Sequence, residues 1–426
     1  MTQAASARIE VALQRLVTAY VATGLLFLLL PGTFLGVWNL VSISGRHSLQ
    51  TLPAAWMQAH GHAQIFGWIG TFILGIGYYS LSKMGGQTPH SAARGWVSFA
   101  LWTAGAALRW TANVSLWQWR LLLPLSAALE LAAFVLFFAT VSRHKKSGAG
   151  PTSFEPWMKA VVASTSAFLL ALLFNAAAAV WLAWTSAGPA LPHSLDQRFL
   201  ILAAWGFPVA AVWGFNARWL PVFAGLPAPR PALLLSALAA WFAALVLGLA
   251  GRFLPAALVL LAASLLAAAA LRVFEPSARP PKILAVSPLF PHFARGAYAW
   301  LLLAAGLSVW AAAADTHGGL WGASRHALTV GFLATMVFAI GQRVLPAFCG
   351  MRVLYSPRLM TASLVLLNLG CALRVGAEIP AYEANVAVAW RILPVSAVTE
   401  LIAVSLFALN LAVTLALPPP RPAVVR

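Results

Sequence analysis

The chain is written in long apolar blocks separated by short polar ones. The strict apolar–polar alternation of a membrane β-strand is absent. The blocks instead reach the roughly 20 residues that carry a helix across a bilayer. Twelve can be read, at about 15–40, 56–82, 95–113, 117–142, 157–186, 196–224, 231–250, 253–273, 295–314, 324–348, 359–378 and 390–417. The block at 117–142 opens on Trp117, Trp119 and Arg120, residues typical of an interface. With no water in the bilayer core, each spanning backbone must satisfy its own hydrogen bonds. The pattern therefore predicts an all-α, polytopic membrane protein forming one integral membrane domain, residues 1–426.

Within that pattern the chain repeats itself. Residues 62–86 read HAQIFGWIGTFILGIGYYSLSKMGG, and residues 326–350 read HALTVGFLATMVFAIGQRVLPAFCG. Without a gap, His, Ala, Gly, Thr, Ile, Gly, Leu and Gly fall at matching places. A shorter copy, GFNARWLPVFAG at 214–225, matches the ending AIGQRVLPAFCG at 339–350. These are spans 2, 6 and 10, so twelve helices divide into three pseudo-repeats of four, at about 1–150, 151–285 and 286–426. Such repeats in membrane proteins often surround a central site.

Composition sharpens this reading. Of 426 residues, 61% are hydrophobic and 8% charged. The net charge of +18 would suggest nucleic acid in a soluble protein. Here it describes topology. With the N-terminus inside, 19 of the 27 Lys and Arg fall on cytoplasmic ends, notably Arg143, Lys145, Lys146 and Lys159, and Arg272, Arg279, Lys282 and Arg295. This is the positive-inside rule. It predicts cytoplasmic termini, with the lipid bilayer rather than nucleic acid as partner. The first span is too long for the core of a cleavable signal. Cys349 and Cys371 are too few for a disulfide framework.

The chemistry resides in histidine. Of nine, His47, His90, His144, His193 and His292 fall in predicted loops or helix termini. His60, His62, His317 and His326 remain, all at or near the outer side. His60 and His326 each begin a long apolar segment, at one membrane depth. His60 and His62 are about 200° apart around a helix, so one faces inward and the other a neighbouring helix or the headgroups. An imidazole in a membrane needs a partner. Two imidazoles, without thiolates or a nearby pair of carboxylates, suit haem iron, which needs only an axial pair. Phe66, Trp68 and Phe72 could pack on the macrocycle. Arg374 and Arg391, with Arg109 and Arg325, are candidates for its propionates. His62 and His317 could receive copper at the outer surface.

These residues resemble a known family. HALTVGFLATMVFAIGQRVLPAFCG is similar to the tenth helix of haem-copper oxidase subunit I, with His326 at the low-spin haem position and Pro346-Ala-Phe-Cys-Gly350 twenty residues on. His60, Ile65 and Phe66 match its second helix. The resemblance implies twelve spans in a threefold repeat and a low-spin haem b near the outer face, held by His60 and His326. The family's oxygen-reducing centre has no counterpart: spans 6 and 7 hold no histidine, and Ser324 stands where the high-spin haem ligand would be. The Arg-x-x-Pro-x-Phe endings and the His-x-His opening of span 2 resemble the NnrS family more closely, with Ala63-Gln64 in place of its usual Glu-Met. That likeness implies haem, copper and a link to nitric oxide.

Three functions follow. The first is a haem b protein for electron transfer or redox and nitric oxide response, with a redox partner or respiratory complex subunit and no proton-pumping oxidase activity. The second is a cofactor-free transporter, suggested by Glu130, Asn175, Asn216, Asn368, Glu400 and Asn410 within spans. The third is a metal- or haem-handling assembly factor for a respiratory complex.

Overall fold

The structure is a computed structural model that describes residues 3–48, 52–84, 92–142, 155–351 and 354–417. Arg143, Lys145 and Lys146 of the first basic loop, and His90 and His144, lie outside the described residues. Among the described residues the fold is entirely helical. Twelve rods follow one another: α1 (3–46), α2 (54–84), α3 (Ala92–Ser115), α4 (Trp119–Ser142), α5 (Pro156–Thr185), α6 (His193–Phe223), α7 (Pro231–Leu249), α8 (Phe253–Ala270), α9 (Phe290–Ala314), α10 (Gly319–Phe348), α11 (Pro357–Ala384) and α12 (Ala387–Ala416). Among the described residues, ten candidate spans are long and apolar enough to cross a membrane. The remaining two rods, α2 and α3, carry the polar residues His60, His62, Gln64, Arg94 and Arg109. The all-α, multi-pass expectation holds.

Burial separates centre from rim. In α6 and α10, 78% of the most apolar window is buried, against 39–44% for the other candidate spans. In α2, Ala63 and every residue from Ile65 to Phe72 are buried. The three spans that share sequence are thus the inner ones. The rim presents apolar side chains outward, such as Leu30, Phe138, Phe242 and Ile402, as a lipid-facing surface requires. Three helical hairpins, α3–α4, α7–α8 and α11–α12, are the most closely packed neighbours in sequence.

The inner helices are interrupted. Turns of π-helix occupy Ala63–Gly70 in α2, Ile201–Gly206 in α6 and Ala327–Ala334 in α10, with a further one at Leu28–Phe34 in α1. A π turn frees carbonyls from the usual ladder and commonly marks a functional segment. Threonine hydroxyls close three of them: Thr33 donates to the Leu28 carbonyl, Thr71 to Gly67, and Thr335 to Val330. Thr71 and Thr335 are matched residues of the repeat.

The shared Pro-x-Phe-x-Gly ending also has a structural cause. Helices α6 and α10 end at Phe223 and Phe348, two residues past Pro221 and Pro346. Gly225 and Gly350 then take φ of +68° and +83°, left-handed conformations that favour glycine. A side chain on Gly225 would also strike the Arg279 carbonyl.

Candidate functional site

His60 and His326 stand at corresponding ends of α2 and α10, just before the π turns. The His60 Nδ1 lies 2.9 Å from the Gly32 carbonyl of α1. The His326 Nδ1 lies 2.9 Å from the Gly322 carbonyl, one turn back on α10. A carbonyl only accepts, so each Nδ1 donates, and the neutral ring keeps its lone pair on Nε2. Metal-ligating imidazoles are usually tied in this way, because the bond fixes both tautomer and ring orientation. His326 and Arg374 are near enough to His60 to act on it electrostatically. Gly36 makes room for the His60 ring: a Cβ there would come within 2.6 Å of its Cε1.

Around His326 the polar groups are charged. Glu378 Oε2 is 3.1 Å from His326 Nδ1, and its Oε1 accepts from Arg374 Nη2 at 3.2 Å. Arg374 is 8% exposed; the Tyr382 hydroxyl lies beside it, but its Nε and Nη1 make no well-aligned hydrogen bond. Buried donors without acceptors are rare in folded proteins. They are what a carboxylate such as a haem propionate would satisfy. The donor set therefore fits a haem: two oriented imidazoles and a buried guanidinium with free N–H groups. Among the described residues, no group of three or more His, Cys, Asp or Glu side chains could hold a bare metal ion. Arg391 is exposed on α12 and takes no part in this network. Arg325 is half-buried, with Asp196 and Glu378 the nearest opposing charges, and its Nη2 is also unpartnered.

His62 faces another way. Its Nε2 donates to Glu130 Oε1 of α4 at 2.7 Å, and its ring stacks on Phe66 at 4.7 Å between centroids. Asn175 of α5 donates to Glu130 Oε2 at 3.3 Å and accepts from Arg109 of α3 at 3.0 Å. All four residues are at most 5% exposed. His317 is exposed in the α9–α10 loop, with Nδ1 3.4 Å from Glu383 Oε2. The two copper candidates thus have separate carboxylate partners. Beside His317, burial and then the hydrogen-bonded Glu383 carboxyl raise the pKa of Asp315.

Ser324 is a satisfied hydroxyl, bonded to Ser308 Oγ at 2.7 Å and to the Ala304 carbonyl at 2.9 Å. The cavity beside it, among α6, α8, α9 and α10, measures about 30 Å³. That is room for a water molecule or two. The intramembrane amides fasten helices together: Asn216 to Tyr298, Asn368 to Trp300 and Thr335, and Asn410 to the Ser356 backbone. Trp68 packs against Phe72 and, across to α10, Phe338.

Sequence reading missed Glu378 and the Gly32, Gly36 and Gly322 contacts. It also missed a second internal match. Gly105-Ala-Ala-Leu-Arg109 of α3 parallels Gly370-Cys-Ala-Leu-Arg374 of α11, and Ser126-Ala-Ala-Leu-Glu130 of α4 parallels Ser396-Ala-Val-Thr-Glu400 of α12. The contacts repeat as well. A Cβ on Gly105 would meet Glu130 Cγ, Ser126 O and Glu130 N, and one on Gly370 would meet the same three atoms of Glu400 and Ser396. Ser98 Oγ donates to the Ala133 carbonyl at 2.9 Å, and Ser363 Oγ to that of Ala403 at 2.7 Å.

Fold and site define a multi-pass membrane protein of haem-copper oxidase-like architecture. A chain of a haem-copper terminal oxidase dimer, solved by cryo-electron microscopy, superposes with a TM-score of 0.77 at 12% identity, covering 97% of this chain and 86% of that one. At that identity the likeness is one of fold. The NnrS protein family model matches residues 17–418, and the chain belongs to the NnrS family. No curated protein sequence matches it.

Proposed function

We propose that this protein is a membrane haem b carrier with His60 and His326 as axial ligands near the outer face and Arg374 as the principal propionate partner. Two histidine ligands make the iron six-coordinate, a state that passes electrons readily and resists gas binding. The role is electron transfer, or redox and nitric oxide response if one histidine yields to the gas. Its partner is a redox protein or respiratory complex subunit. The protein resides in a bacterial inner membrane with both termini cytoplasmic. Copper at His62 or His317 is a secondary proposal, supported by their carboxylate neighbours Glu130 and Glu383.

One observation carries the haem reading: both imidazoles have Nδ1 bound to a backbone carbonyl at 2.9 Å, which leaves Nε2 as the ligand atom. The fold likeness to a haem-copper terminal oxidase supports it. The haem chromophore of the purified protein tests it. A pyridine haemochrome spectrum should report haem b, and metal analysis of the same sample reports copper. Protein without a reducible Soret band excludes the reading. Unchanged copper content in His62→Ala and His317→Ala would remove the copper assignment.

A further inference from the structure

The π turn of α2 creates a mechanical problem. It begins at Ala63, directly after the segment that carries both histidines. A break in the regular ladder weakens rotational coupling between the two parts of a helix. Ala54–His62 is only nine residues long, so the body of α2 does not by itself fix where His60 aims.

The buried network around His62 supplies that constraint. Glu130 holds His62 Nε2 at 2.7 Å. Asn175 and, through it, Arg109 hold Glu130. Four helices, α2 through α5, are joined by residues at most 5% exposed. Buried polar groups are costly, and His62 Nδ1 and Arg109 Nε stay unpaired here; the best-attested use of such a network is to specify one register among alternatives. His60 is two positions away, about 200° around the same turn. Pinning His62 toward α4 therefore points His60 the opposite way, toward Gly32 and Gly36 of α1. His326, directly before the π turn of α10, has its own carboxylate neighbour, Glu378, with Oε2 3.1 Å from Nδ1.

We infer that Glu130 is a positioning residue for the haem: by holding His62 it sets the rotation of the first part of α2 and so the aim of His60 at the iron. This rests on the bis-histidine reading above. The carboxylate has no contact with the cofactor in this account; it acts through one hydrogen bond and one turn of helix.

The experiment compares wild type, Glu130→Gln and Glu130→Ala in the same membranes. It reads haem content, the ferric electron paramagnetic resonance spectrum and carbon monoxide difference spectra of the reduced protein. Gln keeps an oxygen facing His62, so E130Q should stay low-spin and silent to carbon monoxide. E130A should keep its haem but show a high-spin fraction and bind carbon monoxide, because His60 no longer holds its angle. Asn175→Ala, which loosens Glu130 without removing it, should show the same change at smaller amplitude and serves if E130A does not accumulate. A fully low-spin, carbon-monoxide-silent E130A overturns the inference, as does an N175A protein unchanged in both spectra where E130A is absent. E130Q opening as far as E130A also overturns it. A wild type with no haem sinks the parent reading instead, so the two failures are distinct.

Discussion

The hairpins α3–α4 and α11–α12 are built to one plan and put to different uses. Each sets a glycine, Gly105 or Gly370, against a glutamate, Glu130 or Glu400, and each carries an arginine four residues after that glycine. In the first hairpin the glutamate takes a histidine, His62, and an amide, Asn175, stands between glutamate and arginine, while His62 Nδ1 and Arg109 Nε have no partner. In the last, Glu400 Oε1 has no hydrogen-bond partner, and the carboxylate nearest His326 is Glu378, whose Oε2 lies 3.1 Å from Nδ1 without a well-aligned hydrogen bond. In the parallel register of α3, the position of Glu378 is held by Asn113, which donates to the Ala55 carbonyl at 3.3 Å. The middle hairpin, α7–α8, has neither acid nor arginine inside it, and its Gly248 faces Ile201. The lesson is that the scaffold contacts are shared while the charges are local. In the first hairpin an amide links arginine to glutamate and one guanidinium N–H is spare; in the third the arginine bonds Glu378 directly and two are spare.

Three expectations would break or sharpen that comparison. The largest effect is at the arginines. Arg374→Leu strips Glu378 of its ion pair and should cost about 3–5 kcal/mol, seen as a lower melting temperature in detergent, together with loss of haem. Arg109→Leu should lower the melting temperature as well, yet leave the haem at full occupancy. Equal haem loss in both would show that the hairpins are not functionally divided. Next is Gly36→Ala, whose Cβ would displace the His60 ring. Haem per chain should fall well below wild type, whereas Gly45→Ala, with nothing within 4 Å of its Cβ, should match it. The smallest effect is at the shared scaffold. Ser363→Ala removes the bond to Ala403 and should cost about 1 kcal/mol, and Ser98→Ala, which loses the Tyr20 hydroxyl as well as the Ala133 carbonyl, about 2 kcal/mol; a larger loss of thermal stability at Ser363 than at Ser98 would contradict the common plan.

The spans were legible because length and apolarity alone dictate a membrane helix. His60, His326 and Arg374 were legible because a polar group in an apolar block needs a reason. Glu378 escaped notice because it lies close to the end of its span, where acids are ordinary. The backbone partners escaped because a carbonyl has no signature in sequence. Gly32 is presented to His60 by a π turn containing Pro31, and nothing in Leu-Leu-Leu-Pro-Gly-Thr-Phe announces where that carbonyl points. The choice between His60 and His62 was open for a related reason. The repeat aligns His62 with His326, while the contacts turn His62 to Glu130 and leave His60 beside Gly36. The Arg109 and Glu130 matches to Arg374 and Glu400 were visible in principle, as Gly-x-Ala-Leu-Arg and Ser-Ala-x-x-Glu.

The most direct test is the reduced-minus-oxidised spectrum of the wild type beside those of His60→Ala and His326→Ala, purified from the same membranes. Both substitutions should abolish the low-spin signal, leaving either no haem or a high-spin, carbon-monoxide-reactive one. A low-spin spectrum that survives either substitution unchanged would contradict an iron held between α2 and α10.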